Sequence, residues 1–195
     1  MPDITVNLAL VGMVFLLIYV FVDLIRNRKH NRVKRVIFYS FLFYLIVVIQ
    51  LTTGGISFPP EENPVFRVQI IPFYFIYDWF LVRNMGDLFF WNAVRLSLYN
   101  LIMLLPLGVY LAILYNIKRL KKVILIIFMT SLTIEIYQFI LGYYGFVFAR
   151  SFNIDDLLLN TLGGALGYIV FGWLNAAWMT HKNKDGIINR SKRSI

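Results

Sequence analysis

No cysteine occurs in the chain, and only two histidines do, His30 and His181, both in basic stretches. Disulfides, iron–sulfur clusters, zinc–thiolate sites and cysteine nucleophiles are excluded. A histidine-based metal site or a Ser-His-Asp triad lacks the imidazoles it needs. Charge is also scarce: 15% of residues, against about a quarter in soluble domains. No internal repeat is visible, which gives an inverted-repeat transporter no support.

What fills the chain is apolar. Of 195 residues, 59% are hydrophobic, and mean hydropathy is +0.71. One soluble domain of this size has too little interior for them; a bilayer removes that limit. Aromatic residues make up 17%, and Tyr and Trp suit the membrane–water interface. The net charge of +9 resides in short loops between apolar runs, so no soluble basic face exists for nucleic acid.

A membrane-crossing helix needs about 20 apolar residues. Five stretches qualify: Ile4 to Ile25, Val36 to Thr53, Leu96 to Tyr115, Val123 to Leu141 and Leu157 to Met179. The first has its cations after the apolar run and no small-residue cleavage site, so it reads as an uncleaved anchor rather than a secretory signal. Fifteen of the nineteen Lys and Arg follow spans one, three and five; only Arg67, Arg83, Arg95 and Arg150 lie in the alternate connections. The positive-inside rule then predicts an all-α membrane protein with its N-terminus outside and C-terminus inside. The polar tail from His181 to Ile195 is expected to be a disordered cytoplasmic segment.

The connection from Gly54 to Arg95 is too long for a turn. It opens on Gly54-Gly55, Pro59-Pro60 and Pro64, then becomes aromatic, from Phe66 through Phe73, Tyr74, Phe75, Tyr77, Trp79 and Phe80 to Phe89, Phe90 and Trp91. Such a segment is expected to form short helices in the outer interface or to re-enter the membrane.

Polar residues inside spans are costly and mark function or helix contacts. Ser131, Glu135 and Gln138 fall at i, i+4, i+7, on one helix face. Arg67 and Arg150 are placed by the topology where they can meet Glu135. Asp155 or Asp156 is a candidate cap for the last span. Asp156, Asn160, Gly163 and Gly167 form a stripe, and Gly163-x-x-x-Gly167 allows close helix approach. Asn100 precedes Pro106-Leu107-Gly108, where proline is expected to kink the third span. The predicted topology puts the eight residues Arg67, Asn100, Glu135, Gln138, Arg150, Asp155, Asp156 and Asn160 in the outer half of the membrane or just beyond it, and they form the candidate ligand-binding set.

At these positions the chain resembles the VanZ-like family, named after a teicoplanin-resistance membrane protein. The matching pieces are Arg67-x-x-x-Ile71-Pro72-Phe73, Asn100-x-x-x-x-x-Pro106-Leu107-Gly108, Ser131-x-x-x-Glu135-x-x-Gln138, and Arg150-x-x-x-x-Asp155-Asp156-x-x-x-Asn160-x-x-Gly163. The resemblance covers roughly residues 40 to 175. The resemblance implies a multi-pass plasma-membrane protein, of bacterial type, with a link to glycopeptide or lipoglycopeptide resistance. It divides the chain into an N-terminal anchor and basic loop (1–35), a four-helix membrane domain (36–180) and a basic tail (181–195).

Three functions compete at this stage. One is a binding or shielding protein at the outer leaflet, whose partners are membrane lipids, a lipid-linked peptidoglycan precursor or a glycopeptide, and which needs no cofactor. The second is a membrane-embedded enzyme on a lipid-linked phosphate, with Glu135 as acid/base and Asp155 and Asp156 holding Mg²⁺. The third is a small transporter or scramblase with Glu135 as proton relay.

Overall fold

The computed structural model describes residues 4–26, 31–65, 67–148 and 152–191, with side chains as far as Lys182. The order is β1 (Ile4–Val6), α1 (Leu8–Arg26), α2 (Arg32–Thr53), β2 (Ile56–Phe58), β3 (Val68–Gln69), α3 (Tyr74–Arg83), α4 (Asp87–Met103), α5 (Leu105–Ile113), α6 (Leu120–Tyr143), β4 (Phe152–Asn153) and α7 (Ile154–Ser191). Among the described residues five helices are long and apolar enough to cross a membrane: α1, α2, α4 continued by α5, α6, and α7 as far as Lys182. The all-α class and the five spans are as the sequence predicts.

Three boundaries differ from expectation. The third span starts at Asp87 rather than Leu96, because after Gly86 (φ 128°) nothing breaks the helix and Phe89–Trp91 simply extend it. Pro106 interrupts the span by ending α4: Leu104 leaves helical geometry and Pro106 takes the first turn of α5, where its missing N–H costs no bond. The last helix runs on to Ser191 through part of the expected disordered tail; a formed helix adds one bond per residue, and no proline stops this one.

Two small strand pairs gather the connections at one end of the bundle. β1 pairs antiparallel with β2, Thr5 opposite Ser57, and β3 pairs parallel with β4, Val68 opposite Phe152. The Ser57 N–H donates to the Phe146 carbonyl and the Glu61 N–H to Gly145. The chain start, the 54–73 connection and the α6–α7 turn are therefore tied together on one side. α2 ends on Gly54, whose left-handed φ of 71° lets its N–H return to the Gln50 carbonyl at 2.8 Å.

α7 is the central helix, packed against α4, α5 and α6, whereas α1 packs on α2. The α7 glycines explain how. A Cβ built on Gly163 would lie 1.6 Å from the Leu101 carbonyl oxygen, and one on Gly167 2.1 Å from that of Leu105. Gly108 is equally close to Gly164, at 1.9 Å from its oxygen. These helices meet backbone to backbone, as small residues permit in membranes. α6 presents one buried stripe, Val123, Ile127, Ser131, Glu135, Gln138 and Gly142. It is apolar over its first two turns and polar toward the strand-paired end. α1 is held to α2 by Asp23, which accepts from Arg35 Nε at 2.7 Å and from the Tyr39 hydroxyl. The Gln50 side chain also accepts the Ala9 N–H at 3.0 Å.

Candidate functional site

The polar ends of α6 and α7 meet where β4 runs into α7. Glu135 is 2% exposed, and its Oε2 accepts the Asn153 N–H at 3.0 Å. Gln138 donates to the Thr52 carbonyl at 2.7 Å, joining α6 to the end of α2. The start of α7 is capped by Asn153, whose Oδ1 accepts the Asp155 N–H at 2.9 Å, while its Nδ2 donates to Asp156 at 3.1 Å. The cap expected of Asp155 or Asp156 thus belongs to their neighbour.

Asp155 instead caps a different helix. Fully buried, it accepts the Phe73 N–H at 2.6 Å on Oδ1 and the Phe75 N–H at 2.8 Å on Oδ2. Phe73 has no side chain able to cap α3 and sits at φ 64°, a conformation an aromatic residue adopts only when its surroundings hold it there. A carboxylate on two N–H groups at a positive helix end supplies that hold.

Beside this junction lies a cavity of about 640 Å³. One wall is a face of α3 (Tyr74, Phe75, Asp78, Trp79); the other is a face of α4 (Ala93, Leu96, Ser97, Asn100, Met103); Asn153, Asp155 and Asp156 close one end. Trp79 Nε1 bonds Ser97 Oγ across it at 3.3 Å, and Phe75 meets Trp79 edge-on at 5.1 Å. The outward side of α3 is apolar too, with Ile76, Tyr77, Phe80 and Leu81 exposed, so this helix is not amphipathic in the ordinary sense.

The eight candidate residues separate. Asn100, Asp155 and Asp156 line the cavity. Glu135 and Gln138 are not among its lining residues and tie α6 to β4 and to the end of α2. Arg67 is exposed next to β3 and is not among the cavity-lining residues. Arg150 lies outside the described residues, as does Phe66. Asn160 is fully buried, and neither its Oδ1 nor its Nδ2 has a partner among the described residues; Ser131 Oγ is in the same state. Ile127 faces Gly164 across the α6–α7 contact, so one turn along the antiparallel pair Ser131 comes level with Asn160. An unbonded buried amide costs stability. Asn160→Leu is therefore expected to leave the thermal midpoint in detergent unchanged or raised by about 2–4 °C. A clear drop in that midpoint would show that the amide is bonded after all.

Sequence reasoning missed Asp78, Ser97 and Asn153. Asp78 stood as one acidic residue in an aromatic run, a signal that went unread. Among the described residues no group of three or more His, Asp or Glu is placed to hold a metal, and both oxygens of Asp155 already accept backbone N–H groups. That donor set does not fit a magnesium centre.

A family model for VanZ/LLP1 matches residues 36–175, the region from α2 through the apolar part of α7. The chain belongs to the VanZ/LLP1 family. No curated protein and no solved structure matches it. In this VanZ-family chain, the first three motif pieces meet α7 or the strand leading into it, and the described part of the fourth lies on β4 and α7. Phe73, at the end of the first piece, donates its N–H to Asp155. Leu101 and Gly108 touch Gly163 and Gly164. Glu135 holds the strand that leads into α7. α1 lies outside the matched region.

Proposed function

We propose that this multi-pass protein resides in a bacterial plasma membrane and binds an amphiphilic envelope molecule at the outer leaflet. The candidates are an envelope lipid, a lipid-linked peptidoglycan precursor or a lipoglycopeptide, and sequestering or shielding it would contribute to glycopeptide resistance. The observation that carries this reading is the cavity between α3 and α4. It pairs an aromatic and aliphatic wall with a polar end, which suits a ligand that is itself apolar along one part and hydrogen-bonding at the other. The outer location rests on the excess of cations in the opposite connections. The enzyme reading draws less support, because Glu135 is turned into the helix junction and away from the cavity lining.

Because the chain has no cysteine, Ala93→Cys carrying an environment-sensitive fluorophore reports on the cavity alone. Titration of the purified protein with each ligand class is expected to give a saturable response for at least one. Leu96→Trp, which fills the cavity, is expected to weaken that response about tenfold or more. Flat titrations for all three classes would refute the reading.

A further inference from the structure

The polar end of the cavity has a sign. Asp78 contributes a carboxylate to the lining, and no Lys or Arg is among the described lining residues. Of the described arginines in the connecting region, Arg83 stacks over Phe90 at 5.7 Å, and Arg67 and Arg95 are exposed. Asp78 lies one helical turn from Tyr74 and so projects from the same face of α3. It is half-buried between aromatic residues, and no described residue hydrogen-bonds its carboxylate. A carboxylate partly removed from water is stabilised by a cation that also donates hydrogen bonds. The Tyr74 and Trp79 rings in the same wall offer further attraction for such a cation. Ser97 and Asn100 opposite add acceptor oxygens.

We propose that the cavity selects membrane lipids whose headgroup carries a primary ammonium, with Asp78 as the counter-charge and the α3–α4 wall taking the upper acyl chain. This rests on the cavity being a ligand site and specifies which envelope amphiphile it takes. A headgroup with negative charge alone finds no complementary charge among the described lining residues.

The full chain, purified in detergent, is offered three lipids with the same acyl chains. These are phosphatidylethanolamine, phosphatidylglycerol, and an N-acetylated phosphatidylethanolamine that keeps the headgroup's size but loses its ammonium. Retained lipid is measured by mass spectrometry, and occupancy is followed in parallel by the fluorophore on Ala93→Cys. Retention of the ethanolamine lipid is expected to exceed the other two about tenfold. Asp78→Asn should abolish that preference while the cavity fluorophore still reports lipid, and Asp78→Glu should restore it. Equal retention of all three lipids, or an undiminished preference in a folded Asp78→Asn, overturns the ammonium proposal and leaves the cavity reading intact. Displacement of the ethanolamine lipid by a lipid-linked precursor or a lipoglycopeptide, with no dependence on Asp78, overturns it as well. Absence of any lipid together with a silent fluorophore overturns both.

Discussion

Gly163→Ala will fail to accumulate as folded protein. The added methyl would sit 1.6 Å from the Leu101 carbonyl oxygen, and that atom belongs to helical backbone, so no rotamer change relieves the clash. α4 and α7 would have to separate along their length. The expected destabilisation is about 3 kcal/mol or more, at or beyond the upper end of ordinary overpacking. Gly172→Ala provides the control: it lies on the same helix, and a methyl there meets nothing within 4 Å. Expression level and detergent thermal stability of the two variants should differ sharply. Similar behaviour would mean that the close α4–α7 contact does not exist in the membrane.

Asp155→Ala is expected to release α3 while leaving the spans assembled. Two backbone N–H groups lose a buried, charged acceptor, a local cost of about 3 kcal/mol, and Phe73 loses what holds its left-handed backbone. The measurement is alkylation of Ser97→Cys, which faces α3 through Trp79. The rate should rise at least about tenfold in the Asp155→Ala background. Unlike Gly163→Ala, this variant should still accumulate as folded protein, with a bundle thermal midpoint close to that of the unaltered chain. An unchanged alkylation rate would show that α3 is held by its aromatic contacts alone.

These two residues also mark what sequence could and could not reveal. The spans were legible because hydrophobic length is a one-dimensional property. The Ser131, Glu135, Gln138 face was legible because burial on a helix repeats every three to four residues, and the glycine stripe of α7 follows the same rule. The destination of Asp155 was not, since its partners lie 80 and 82 residues away and nothing local encodes that meeting. Locally, Asn153, Asp155 and Asp156 are all good capping residues, so composition alone does not choose among them; the β3–β4 pairing does, by turning Asp155 toward α3. Asp78 went unread for a related reason. An acidic residue in an aromatic run gains meaning only when a second helix face closes opposite it. The early start of α4 has a simpler cause: Phe89, Phe90 and Trp91 suit an interfacial connection and a helix equally well, and after Gly86 they form helix.

The central position of α7 has a consequence for biosynthesis. This helix is synthesised after α4, α5 and α6, yet it supplies the surface against which they pack. Until it arrives, the stripe of α6 bearing Ser131, Glu135 and Gln138 has no α7 to cover it, and a carboxyl group facing lipid is costly. The earlier spans therefore cannot disperse freely into the bilayer as they emerge. They are expected to stay together, or with a partner that masks α6, until α7 locks the bundle.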